Sequence, residues 1–147
     1  MSQTRYAISA YQAAQRTVPP LTMVVMLYDG ILVRISRAAE AARQGDYQKQ
    51  FEAVMSAARI IDGLNRHLDM EKGGKVAVGL RETYEAVART LFRSVGKETG
   101  AEACDRLVIA VRELRDAWAE IAGQTNGALP SDQPPPPEQR LPTSEAV

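Results

Sequence analysis

Between residues 19 and 122 the apolar positions recur at helical spacing, in four stretches punctuated by glycine. The first stretch opens at Pro19 and Pro20, where proline is tolerated because a first-turn N–H has no intrahelical acceptor. Its stripe is Leu21, Val24, Val25, Tyr28, Ile31, Leu32, Ile35, Ala39 and Ala42, the i, i+3, i+4, i+7 pattern of one helix face. Gly45 is placed to close this helix in a left-handed conformation, and Asp46 to cap the next through its carboxylate. The second stretch, Tyr47 to about Met70, offers Tyr47, Phe51, Val54, Met55, Ala58, Ile61 and Leu68 as its core face, and Gly73 and Gly74 break it. The third, Lys75 to Val95, presents Val76, Leu80, Tyr84, Val87 and Leu91. After a turn at 96–100, the fourth runs from Ala101 to Ala122 with Leu107, Val111, Leu114, Trp118 and Ile121. Those five alternate spacings of four and three, as in a bundle seam.

Four helices joined by short turns predict an all-α fold, an antiparallel up-down four-helix bundle over residues 19–122. No strand pattern competes with it. The ends read differently. Residues 1–18 carry Tyr6, Ile8 and Tyr11 among small and polar residues, the pattern of a short N-terminal helix or arm that must dock to become ordered. Residues 123–147 hold six of the eight prolines and few large apolar side chains, so a disordered Pro-rich C-terminal tail is expected there.

Composition narrows the function more than the fold. Aromatic residues make up 5%, so the core has to be aliphatic, as helix-on-helix packing prefers. Lys plus Arg and Asp plus Glu each total 18, and the resulting zero net charge offers nothing for a nucleic-acid backbone to bind. The longest nearly apolar run, Leu21 to Leu27, is far too short for membrane insertion. The N-terminus lacks the apolar region of a secretory signal, and the single cysteine, Cys104, leaves no internal disulfide; the chain reads as cytoplasmic.

Candidate chemistry is thin. His67 raises the idea of a phosphotransfer helix, but such domains place Lys three and Gly four residues after the histidine. Here those positions hold Met70 and Glu71, and a solvated histidine near a helix end is the simpler reading. A carboxylate-bridged metal bundle needs Glu-x-x-His pairs, and no Glu stands three residues before His67. Cys104 borders a core stripe, as a buried structural thiol does. Gly73 and Gly74 follow no strand, so no phosphate-cradling loop is implied. The expectation is a protein with no catalytic residues, no metal site and no cofactor.

Surplus apolar surface is the more informative signal. Opposite the core stripe of the first helix, a 100° wheel places Met23, Met26, Gly30 and Val33, with Leu27 at one edge. Arg34 and Arg37 occupy that side only in the second half. Two readings of the patch stand side by side. The arm covers it with Tyr6, Ile8 and Tyr11, or it receives a helix of another protein, a use that adaptable methionines suit. The two are compatible if the arm is a cover that a partner displaces.

Certain residues carry a family likeness. Leu27-Tyr28-Asp29-Gly30, Gly45-Asp46, Leu64-Asn65, the run from Leu68 through Asp69, Glu71 and Lys72 to Gly73-Gly74, and Ala117-Trp118 together resemble the flagellar export chaperone family, FliS. The likeness runs in order from about Tyr6 to Ile121. It implies a cytoplasmic chaperone that binds the disordered C-terminal segment of flagellin, prevents premature polymerisation, and delivers the subunit to the export gate of the flagellar type III apparatus. It implies further that Tyr28 is structural, while Asp29 and Gly30 lie nearer the surface, where glycine lets a partner backbone approach. A helical adaptor of another export or signalling system is the alternative. The chain departs from the family pattern at Pro19, where many relatives have Ser, at Gly79, and in its proline-rich tail.

Overall fold

The computed structural model describes residues 20–127, with side chains described for 21–123. Four helices follow one another: α1 (Pro20–Arg43), α2 (Tyr47–Arg66), α3 (Met70–Ser94) and α4 (Gly100–Gly127). No strand occurs among the described residues, and no helix there is long and apolar enough to cross a membrane. The predicted arm lies outside the described residues, as does the predicted tail from residue 128 onward. α4 continues to Gly127, past the expected stop at Ala122.

The chain divides into two compact units. The larger, Val24–Arg115, contains parts of all four helices and forms a helical bundle. Cross-helix hydrogen bonds give its topology. Arg34 of α1 donates to Ser56 of α2, Arg81 of α3 to Asn65 of α2, and Arg43 and Arg115 tie α1 to α4 through Asp105 and Asp29. Gln50 of α2 also donates to Ser94 of α3, and Gly30 of α1 lies against Ile60 of α2, so within each helix pair residue numbers rise along one helix as they fall along the other; sequence neighbours are antiparallel and α4 returns beside α1. The other unit comprises 1–23 and 116–147. Of its described side chains, Ala122 is buried, while Met23 and Ile121 are exposed.

The turns form as the glycine and aspartate pattern requires. At Gly45 (φ 72°) the N–H of Asp46 donates to Ala41 and that of Gly45 to Ala42, satisfying the last carbonyls of α1. The Asp46 carboxylate then accepts from the Lys49 N–H at 3.1 Å and caps α2. α2 stops at Arg66, short of the expected Met70, because Asp69 starts a new helix by accepting from the N–H groups of Glu71 and Lys72. The break expected at the glycine pair is a kink inside α3, where Gly74 takes φ 53°, ψ −129°.

The α1 core is Val25, Tyr28, Ile31, Leu32, Ile35, Ala38, Ala39 and Ala41. In α2 the buried positions are Gln50, Val54, Ala57, Ile61 and Leu64. Tyr47 and Phe51, expected inside, are exposed: the buried stripe passes through Gln50, one residue and 100° away. Val76 likewise yields its place to Ala77, the next residue along α3.

Candidate protein-binding face

α1 presents two unlike faces. Inward, Tyr28 is almost fully buried and its hydroxyl meets that of Tyr84 on α3 at 2.5 Å, with the rings tilted at 46°. Each hydroxyl thereby finds a partner in a place without water, where an unpaired one would cost about 1–3 kcal/mol. Burial pushes the Tyr84 phenol above its ordinary value, opposed by the bond from Tyr28.

Outward, three large apolar side chains of the bundle unit face solvent: Met26 is 60% exposed, Leu27 42% and Val33 47%. Their spacing of one, six and seven residues puts Met26 and Val33 on one line, with Leu27 at its edge. Met23 is also exposed and lies on the same helix, within the other unit. Tyr6, Ile8 and Tyr11 lie outside the described residues. Gly30 is half-buried, and its missing side chain serves this chain's own packing. A Cβ there would stand 3.3 Å from both Ile60 of α2 and the Arg34 guanidinium. Arg34 folds back over that spot, donating to the Gly30 carbonyl at 2.9 Å and to Ser56 Oγ at 2.7 Å.

Grooves flank the outward face. One, about 490 Å³, lies between the second half of α1 and the start of α2, lined by Arg34, Arg37, Glu40, Lys49, Glu52 and neighbours. The other, about 400 Å³, runs between α1 and α4 past Leu32, Val33, Ser36, Arg37, Glu40 and Arg112. Both mix acid with base, so they provide polar margins to an apolar strip and no concentrated field. Asp29 sits beside the strip and is engaged by Arg115 at 2.8 Å, a part-exposed ion pair worth less than about 1 kcal/mol.

The remaining reactive side chains have structural surroundings. His67 ends α2, its Nδ1 2.8 Å from the Gly63 carbonyl, to which it donates. Cys104 is fully buried, and burial pushes its thiol pKa up, which suppresses the nucleophilic thiolate. No group of three metal-ligating side chains occurs among the described residues.

Two features escaped the sequence reading. One is the buried amide of Gln50, which donates to the carbonyl and hydroxyl of Ser94 and accepts from the Gly96 N–H. The other is a second exposed apolar stripe on α2, formed by Tyr47 and Phe51, which helical spacing alone puts in the core.

Comparison with known proteins adds a family. The model of the family described as flagellar protein FliS matches residues 2–125. The flagellar secretion chaperone FliS of Salmonella typhimurium is 32% identical over 118 residues, covering 80% of this chain and 87% of that protein. The protein of the same name from Campylobacter jejuni is 30% identical, with 81% and 93% covered. That from Bacillus subtilis is 28% identical, with 76% and 83% covered.

Proposed function

This chain belongs to the flagellar protein FliS family, and from that premise we propose that it binds the C-terminal segment of flagellin, holds it back from premature polymerisation, and passes it to the flagellar export gate. Chaperoning in secretion is what the named relatives share. The cytoplasm is where a subunit awaiting export has to be held, so that is the proposed location. Neither a cofactor nor a catalytic step enters the mechanism.

The observation that carries the reading is the outward face of α1. Met26, Leu27 and Val33 stand exposed on a helix whose other side is core, in a bundle that gains nothing from leaving them wet. A segment that folds as it binds supplies the missing cover. Burial of apolar surface contributes about 25 cal/mol per Å², against an ordering cost of about 2–5 kcal/mol or more. The difference sets the affinity. With no nucleotide to drive release, the segment leaves when the export gate offers it a competing surface.

Calorimetric titration with a peptide spanning the flagellin C-terminal region tests this. The expected result is roughly one-to-one binding with a large negative heat-capacity change. Leu27→Glu should abolish it while leaving the helical circular dichroism intact. Absence of binding by the folded chain, or binding indifferent to Leu27→Glu, would remove the proposal and leave an adaptor for another protein.

A further inference from the structure

Two arginines line one groove, and neither has a partner. Arg37 of α1 and Arg112 of α4 are exposed side chains in the wall of the α1–α4 groove. No hydrogen bond or ion pair engages either guanidinium within the described residues. The acids nearby are committed or turned aside. Asp29 holds Arg115 and Asp105 holds Arg43, and these ion pairs bracket the groove. Glu40, the acid in the groove wall, is engaged by Arg43 at 3.3 Å and by Gln44 at 3.0 Å. Asp116, one turn beyond Arg112, is engaged elsewhere. Glu52 lines the other groove, on the α2 side. Glu113 follows Arg112 but lies about 100° further around α4, beyond the side that Asp105 and Arg115 turn to α1.

Register brings the two arginines together. With Asp29 level with Arg115 and Arg43 level with Asp105, Arg112 falls within about one helical turn of Arg37. The apolar strip leads to this pair from one side only. Met26 and Val33 lie on one line of α1, and Arg37 comes next along it, four residues past Val33. Beyond Arg37 the line continues through Glu40 and Gln44, both polar. From Met26 to Arg37 is about 16 Å, or three turns of a helix laid alongside.

A guanidinium pair at the end of an apolar strip complements a carboxylate at the end of an apolar helix. The last residue of a chain carries such a carboxylate. Beside it stand the unsatisfied carbonyls of the final turn, which are negative as well. The planar fork of arginine matches the two oxygens of a carboxylate and makes strong, directed hydrogen bonds to it.

We propose that Arg37 and Arg112 hold the terminal α-carboxylate of the docked flagellin segment, whose last turns, about three, lie over Met26 and Val33 and run parallel to α1. The inference rests on the cargo reading and adds to it a direction and an end point. The groove has no strong net field, so recognition comes from two guanidinia at one spot. A helix of the same apolar pattern taken from the middle of a chain gains nothing from them.

The test titrates the full chain calorimetrically with the flagellin C-terminal peptide in two forms, the free acid and the C-terminal amide. The acid should bind about tenfold more tightly than the amide. Arg37→Gln and Arg112→Gln should each weaken the acid by about fivefold or more and leave the amide unchanged. Both arginines are exposed, and circular dichroism checks that the variants keep their helices. Equal binding of acid and amide to the unaltered chain overturns the proposal and leaves the cargo reading standing. So does a loss that the arginine variants impose on both peptides alike, which would assign the pair to side-chain carboxylates of the segment. Failure of both peptides to bind removes the cargo reading, and this proposal with it.

Discussion

The two ends of the α2–α3 pair reverse the chain by opposite means. At the α3–α4 end, Gln50 reaches out of α2 and holds the turn from inside. Its amide donates to Ser94 O and Oγ at 3.2 and 3.3 Å, and its carbonyl accepts from the Gly96 N–H at 3.3 Å. Ser94 Oγ gives its proton to the Leu91 carbonyl at 2.6 Å, leaving its lone pairs to accept. Gln50 and Ser94 are both buried. At the α2–α3 end the work is done in water. The His67 ring bonds to Gly63, and Asp69 caps α3, all through exposed groups. Water can replace an exposed cap at little cost, whereas a buried amide has no substitute partner. Stability is therefore concentrated at one end of the bundle unit, and local opening should begin at the other.

Breaking that contrast calls first for Gly100→Ala. A Cβ at Gly100 would collide with the Ser94 carbonyl oxygen and stand 3.2 Å from Gln50 Nε2, so backbone has to shift at the start of α4. The expected loss is about 3 kcal/mol in urea unfolding. Removing the amide itself, Gln50→Ala, should cost about 2–3 kcal/mol, since the Gly96 N–H and Ser94 carbonyl lose a partner inside the fold.

The opposite end should respond more weakly. Gly74→Ala forces a side chain into φ 53°, ψ −129°, with nothing within 4 Å of the new Cβ, so backbone strain alone is in play. About 1–2 kcal/mol is expected by the same denaturation measurement. Asp69→Ala should cost about 1 kcal/mol. Its signature is faster amide hydrogen exchange at Glu71 and Lys72, with exchange at Gly96 unchanged. Equal acceleration at both ends would show the bundle unit opening as one cooperative block and would erase the distinction.

Much of this architecture was legible because helices announce themselves by spacing. Spacing alone turns Tyr28, Ile31, Ile35, Tyr84, Val87 and Leu91 inward, and all six are buried. Gly45 and Asp46 spell a stop and a start, and their hydrogen bonds do that. Periodicity failed where a polar residue holds a core position. Gln50 is wholly buried, and its polarity sent the expected stripe through Tyr47 and Phe51. Only the turn donors and acceptors around 94–96 explain why an amide belongs there, and these are distant in sequence. The same misreading puts Tyr47 and Phe51 in the core, although both are exposed. On α1 the exposed strip was legible as apolar residues on the wrong side of the wheel. Gly30 was not, since the room it leaves is taken by Ile60, and spacing within one helix says nothing about a neighbour.

Cys104 gives the better-held end a chemical clock of its own. Its sulfur lies 3.7 Å from Ser94 Oγ, which already spends its proton on Leu91, so the thiol is the donor of that contact. A thiol-modifying reagent can reach the sulfur only when the start of α4 lifts away from α3. At high reagent concentration the labelling rate then levels off at the opening rate itself. Mass spectrometry of the unaltered protein would thus time the breathing of that junction, with no probe to introduce and no second thiol to confuse the record.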